Sequence, residues 1–278
     1  MTIEEEFSSY LEVIEGQFDK LLVNKSEEYD QSLYLLKTYY MYLSFIADQP
    51  LLDKRHATDK ILFAKTSTDI FGIYNCLKNG SIVQALIIFR GLVETNVTTK
   101  FIHRDYNYRS QLYYDHKYME KYQQIKKNLS IVPKEEIEFT KKKYHELKDK
   151  YKYNSFWYTK LLIDIIKNDG KLSNKHKNPT IRAMADSAGM LEEYDRMYPL
   201  LSKATHGSSL LEHLFIQGNR LTTSPNFDMS LFNSIVGLSI QNGHNVLKTI
   251  LEHDKTIDPR YVDYSDQLLY YALFHSRE

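Results

Sequence analysis

The stretch IVQALIIFRGLVETNVTTKFIH, Ile82 to His103, decides the fold. Its first three turns are apolar on almost every side, and a helix that is hydrophobic all round belongs in the middle of a bundle. Ser81 and Gln84 fit a capping box at its start. Asn79-Gly80, immediately before them, reads as the stop of the preceding helix. A central helix over 82–103 is therefore predicted, with the rest of the chain packed around it.

Working outward, helical periodicity continues in both directions. Towards the N-terminus, Ile3, Phe7, Tyr10, Leu11, Ile14, Phe18 and Leu21 recur at steps of three and four, the mark of one apolar helical face. Asn24 with Glu27 fits a capping box for a second helix with Leu33, Leu36, Tyr40 and Leu43 inward, ended at Gln49-Pro50. A third helix is predicted from Lys54 to Leu77. Towards the C-terminus, Tyr108 to Asn128 and Lys134 to Tyr153 read as a more polar helical hairpin turned at Pro133. Shorter helices follow: one opened by Asn154-Ser155 and running to Ile166, with Gly170 beyond its end, then one opened by Asn178-Pro179 and running to Ala188. The last four span Leu191–Thr205, Ser209–Gln217, Asp228–His253 and Asp266–His275. Gly and Pro total only 16 of 278 residues, and so few breakers favour long helices. No strand-like alternation, repeat or linker stands out. The expected fold is all-α: a single helical-bundle domain over 1–278, with helices 1–48 and 228–275 packed on a core.

Composition excludes several classes. Hydrophobic residues make up 42% and charged residues 26%, values of a globular rather than a disordered chain. Lys+Arg and Asp+Glu are equal at 36 each, so overall charge selects neither nucleic acid nor an anionic membrane. The acidic start, Met1 to Glu6, is unlike a signal peptide, and no apolar run is long enough to span a bilayer. The lone Cys76 precludes an internal disulfide and suits a reducing cytoplasm.

Metal and nucleotide motifs are missing. None of the ten histidines has Glu three residues before it, as helical di-metal sites have, and the nearest approximation is Asp53-x-x-His56. Phosphate-binding loops and GxSxG are also lacking, so neither metal nor cofactor is expected. The hairpin is different. Between Lys117 and Lys152 eleven lysines face six acids, with tyrosines interleaved. Lys117, Lys121, Lys126, Lys127, Lys141, Lys142 and Lys143 could hold phosphates beside rings that stack on bases. A solvated hairpin with inward-packed tyrosines accounts for the same pattern.

Polar groups in apolar settings point to a site. Arg90 and Glu94 are four apart on the central helix and share a face. If buried, such charges need partners. In YDRMYPLLSKATHGSS, Tyr194 to Ser209, the residues Tyr198, Ser202, His206 and Ser209 fall within about 80° on a helix. Together Arg90, Glu94, Tyr198, Ser202 and His206 form a candidate catalytic set, with His206 as acid or base and Arg90 as anion holder. A buried polar network that merely fixes helix docking would use the same residues.

These segments also carry a resemblance. A-x4-R-x3-E on the apolar helix, Trp157-Tyr158, R-x-M-A-x3-G from Arg182 to Gly189, and Y-x3-S-x3-H-G from Tyr198 to Gly207 occur in this order. The chain thereby resembles the bacterial DUF5677 family of uncharacterised helical proteins over about residues 55–220. The matched positions are Arg90, Glu94, Trp157, Arg182, Tyr198, Ser202, His206 and Gly207, and the resemblance implies a shared site without naming a reaction. A second, weaker likeness is to HEPN-type ribonucleases of phage-defence and toxin systems, whose R-x(4–6)-H signature Arg109-x6-His116 fits, with Ser110 where Asn or Asp commonly follows the Arg.

Two function classes follow. One is a metal-independent ribonuclease-type effector acting on RNA. The other is a non-catalytic interaction protein that binds a protein partner or a second copy of itself.

Overall fold

The computed structural model describes residues 27–49, 56–127, 132–152, 154–206, 214–217, 220–225, 229–253 and 258–274. The helix expected over residues 3–21 and the Asn24 cap lie outside them. Eleven α-helices occur among the described residues: α1 Glu27–Ala47, α2 Ala57–Lys78, α3 Ile82–His103, α4 Tyr106–Lys127, α5 Lys134–Leu147, α6 Thr159–Asn168, α7 Gly170–Lys175, α8 Ile181–Ser187, α9 Leu191–His206, α10 Met229–Glu252 and α11 Arg260–Phe274. The chain is an all-α helical bundle carrying one small hairpin.

The centre is α3, as its apolar surface requires. It packs against α2, α10, α9, α8 and α4, and Ala85, Leu86, Phe89, Leu92, Val93, Val97, Phe101 and Ile102 are buried. Around it, α1 contributes Tyr29, Leu36, Tyr39, Leu43 and Ile46 at helical spacing, and α10 contributes Phe232, Ile235, Val236, Ile240, Val246 and Leu247. The buried apolar side chains form one cluster reaching from Tyr29 to Ala272. Tyr39 rather than Tyr40 fills the inward position of α1, because Tyr39 is fully buried and Tyr40 lies at the edge.

Helix ends follow local chemistry. At Asn79-Gly80 the Gly80 N–H donates to the Leu77 carbonyl and the Ser81 N–H to the Cys76 carbonyl, the bond pair of a Schellman stop. Gly80 supplies the φ of 72° this needs. Other expected ends are corrected. Ser81 makes no side-chain cap bond. The helix expected from Asn154-Ser155 begins only at Thr159, because Asn154 takes φ 50° and turns the chain before Trp157 and Tyr158 go inward. Asp169 caps a further short helix, accepting from the Lys171 and Leu172 N–H groups, so Gly170 starts α7. Thr180 rather than Asn178-Pro179 caps α8, its hydroxyl accepting from the Ala183 N–H. The last helix starts at Arg260, a turn and a half ahead of Asp266.

The helix expected over Ser209–Gln217 is overturned at Leu214–Gln217, and residues 209–213 lie outside the described ones. Leu214–Gln217 and Arg220–Pro225 pair as antiparallel strands β1 and β2, with Ile216 opposite Leu221 and Gln217 opposite Arg220.

Candidate functional site

Five of the residues that carry the family resemblance, Arg90, Glu94, Trp157, Arg182 and Tyr198, line one cleft of about 780 Å³. Three parts of the fold build it. The outer face of α3 brings Arg90, Glu94, Thr95 and Thr98; the segment before α6 brings Phe156, Trp157 and Tyr158; α8 with its cap Thr180 brings Arg182, and α9 brings Tyr194 and Tyr198. Lys65 of α2 closes one side.

Arg90 and Glu94 were expected inside the core. They sit instead on the cleft wall, their side chains 26% and 36% exposed, because the apolar stripe of α3 that packs inward leaves one solvent-facing edge. The Arg90 Nε donates to Glu94 Oε1 at 3.0 Å, and the guanidinium carbon stands 5.8 Å from the centre of the Tyr198 ring. Among the described residues no acceptor is recorded for the two terminal guanidinium nitrogens. Arg90 is thus held from one side and open on the other.

Two further cation–carboxylate pairs ring the cleft. Lys65 Nζ lies 2.6 Å from Asp69 Oδ2, and Arg182 makes a two-pronged pair with Asp195, both bonds at 2.7 Å. Burial pushes the Asp69 carboxyl up, against the pull of Lys65. The Arg182 hydrogen bonds hold the exposed Asp195 carboxyl below the usual range. Pro199 lies inside α9 and offers no N–H to the Asp195 carbonyl one turn back, which interrupts the helical ladder beside the cleft.

The remaining wall is aromatic. Trp157 packs edge-on against Phe101, Tyr113 and Tyr158, and Tyr194 stacks on Tyr198 with ring centres 5.1 Å apart. Burial, helped by Glu94, raises the Tyr158 phenol to about 12. Burial raises Tyr194 as well, with Tyr198 and Glu94 adding to it. Both phenols therefore stay protonated at neutral pH. Ser202 lies one turn beyond Tyr198 on α9 and is half-buried. His206 ends α9, but its side chain, like Gly207 and Ser209, lies outside the described residues.

The hairpin of α4 and α5 forms, but its second arm ends at Leu147, with a single 3₁₀ turn at Lys148–Lys150, short of the expected Tyr153, and its lysines divide into two groups. Lys117 lies over the Tyr114 ring at 3.3 Å, Lys126 over Tyr122 at 4.9 Å, and Lys121 pairs with Glu136 at 2.5 Å. Lys143 pairs with Glu146 at 3.0 Å. Lys127, Lys141 and Lys142 are exposed. Tyr122 and Tyr144 stack on each other across the hairpin, ring centres 3.9 Å apart, so those two rings hold the helices together.

Arg109 and His116 serve other ends. Arg109 Nη1 donates to the Phe101 carbonyl at 2.8 Å, with its guanidinium 4.1 Å over the Phe101 ring. His116 Nε2 bonds the Ser155 carbonyl at 3.1 Å. Among the described residues no group of three or more His, Cys, Asp and Glu is placed to hold a metal. Asp53, the partner in the Asp53-x-x-His56 spacing, lies outside them. Among the same residues no helix is long and apolar enough to cross a membrane.

Sequence reasoning missed Lys65, Phe156, Tyr158 and Tyr194 as wall residues. Tyr194 carried a signal, one turn ahead of Tyr198 on the same face; Lys65 carried none, since only the packing of α2 on α3 brings it there.

Comparison with curated proteins and with solved structures gives no match. The model of a family of unknown function, DUF5677, matches residues 61–220, the span that contains every residue of the cleft wall. The chain belongs to the DUF5677 family.

Proposed function

We propose that the cleft binds a nucleotide unit of RNA and that the protein is a metal-independent ribonuclease-type effector. The observation that carries this reading is the posture of Arg90. Glu94 takes only its Nε, so the terminal fork faces a cleft walled by aromatic rings, a pairing suited to a phosphate beside a base. In the proposed step Glu94 takes the proton of the ribose 2′-hydroxyl. The 2′-oxygen bonds to phosphorus, the bond from phosphorus to the 5′-oxygen breaks, and His206 donates the proton to that leaving oxygen. Arg90 neutralises charge that grows on the phosphate oxygens. Tyr198 orients Arg90 from beneath, and Ser202 extends the polar edge of α9 towards His206. Lys127, Lys141 and Lys142 of the hairpin, with Lys117, Lys121, Lys126 and Lys143, add sequence-independent attraction. The setting we propose for such an effector is phage defence or a toxin system, and Cys76 alone among 278 residues suits the cytoplasm.

Labelled RNA incubated with the protein in EDTA tests this. Cleavage to 2′,3′-cyclic ends that is lost in Arg90→Ala and Glu94→Gln is the expected result. Intact RNA with every variant, parent included, overturns it.

A second reading, a non-catalytic interaction protein, is favoured by one surface. Tyr34, Met41 and Phe45 on α1 are 69%, 58% and 48% exposed and lie in one line. Phe45 and Tyr264 share a cavity of about 440 Å³ with Tyr42 and Tyr261. A mass by sedimentation that exceeds the monomer, and falls to it in Met41→Glu, is what this reading expects.

A further inference from the structure

Three consecutive aromatic residues precede α6, and their exposures differ sharply: Phe156 68%, Trp157 8%, Tyr158 5%. Burial explains the last two. Phe156 is turned out because Asn154, with φ 50°, reverses the chain two residues earlier, while His116 ties down the intervening Ser155 carbonyl at 3.1 Å. The ring lies almost parallel to Tyr158, 5° apart in plane and 5.5 Å between centres, which backs one face and leaves the other open.

Phe156 also belongs to two cavities. On one side is the Arg90 cleft. On the other is a groove of about 680 Å³ between α4 and the end of α5, lined by Lys148, Lys152, Gln123 and Gln124 and also by the carboxylates of Asp149 and of Glu120, the latter 3.5 Å from His116. Lys148 and Lys152 are exposed, and the groove opens onto the hairpin whose sequence carries the surplus of lysines. A flat ring between two concavities, with two lysines and two side-chain amides among the polar groups of the outer one beside its two carboxylates, suits a polymer that alternates bases and phosphates, the bases using the ring and amides and the phosphates the exposed lysines. An acidic peptide would use the lysines but has no regular use for the ring.

We infer that groove and cleft form one track for single-stranded RNA, with Phe156 as the stacking platform over which the strand passes from the hairpin into the Arg90 cleft. This rests on the nucleotide reading of the cleft. Lys148 and Lys152 contact backbone phosphates outside the cleft, and the base on Phe156 is the one next to the unit held at Arg90. The protein therefore prefers oligomers to mononucleotides and binds single strands over duplexes, whose bases are already stacked.

Binding of a 2′-O-methyl oligouridylate of about eight nucleotides, within the range of single-strand site sizes, is compared by fluorescence anisotropy with that of uridine monophosphate as its competitor. The octamer binds more tightly than the monomer in the parent. Phe156→Ala weakens the octamer by about 5- to 150-fold, the range for loss of one stacked base. Lys148→Gln/Lys152→Gln leaves the monomer's affinity unchanged and lowers the slope of log affinity against log salt by about 1.4, two single-strand phosphate contacts. Equal affinity for monomer and octamer, or an unchanged octamer affinity in Phe156→Ala, overturns the track while leaving the cleft as a nucleotide site. Binding of neither RNA overturns the cleft reading itself.

Discussion

Asn96 on α3 donates its side-chain N–H to the amide oxygen of Asn242 on α10 at 2.9 Å, deep in the core. Asn242 in turn donates to the Leu238 carbonyl of its own helix at 2.8 Å. The pair fixes the rotation of α10 against the central helix, because only one rotation brings the two amides together. Asn242→Leu leaves the Asn96 N–H without its acceptor, and we expect a loss of about 1–3 kcal/mol. The double variant Asn96→Leu/Asn242→Leu recovers part of it, since an apolar pair leaves no donor stranded. Urea unfolding of the four proteins in a double-mutant cycle measures the coupling; additive effects would show that the two amides do not act together.

Glu94→Gln separates stability from chemistry. The Arg90–Glu94 pair is partly exposed, and exposed i,i+4 ion pairs are worth under about 1 kcal/mol. The melting transition of the variant should stay close to the parent's. Under the proposed mechanism its RNA cleavage falls by about 10²- to 10⁴-fold, the range for loss of a general base. A variant that unfolds early would place the pair in the core after all.

That contrast marks how far the sequence reaches. The all-round apolar surface of Ile82–Phe89 was enough to put α3 at the centre, and the Asn79-Gly80 stop was legible because only glycine takes that turn without strain. Arg90 and Glu94 were legible as a pair but not as surface residues: periodicity gives the angle between side chains, not which neighbour is missing on that side. Arg90, Glu94, Trp157, Arg182 and Tyr198 meet through long-range packing, which motif order suggested and spacing alone could not. The strand pair was not legible because Leu214-Phe215-Ile216 is a short apolar run compatible with either period.

At Gly243, α10 packs tightly against both α1 and α2. A Cβ built there would stand 2.6 Å from Ile70 Cδ1 of α2 and 2.9 Å from Tyr39 Cε1 of α1. Gly243→Ala should destabilise by about 1–3 kcal/mol through overpacking. Ile70→Val removes the nearer clashing carbon, so Gly243→Ala/Ile70→Val should be more stable than the two single losses added together. Thermal melts of the set decide this, and strict additivity would mean that Ile70 already moves aside.

His244 on α10 is 3% exposed and spans two neighbours on α11, with Nδ1 2.9 Å from the Ser265 hydroxyl and Nε2 3.0 Å from Asp266 Oδ1. Burial lowers its pKa below the ordinary 6.5, helped by Lys248 and Lys100, while Asp266 and Glu252 pull the other way. Burial is the larger effect, since Asp266 stands half in water and its charge is screened. In the fold His244 is therefore neutral, and the unfolded chain binds the proton more readily. The stability it contributes is complete above pH 6.5 and is lost as the pH falls from there through the folded-state value. Between those two values the slope reaches at most about 1.4 kcal/mol per pH unit. Thermal midpoints of the parent should fall between pH 7 and pH 5, before most carboxylates titrate. His244→Gln, which keeps a donor for Asp266 but carries no titrating proton, should flatten that interval. A parent that gains stability on acidification would show that Asp266 outweighs burial and that the imidazole is already charged at neutral pH.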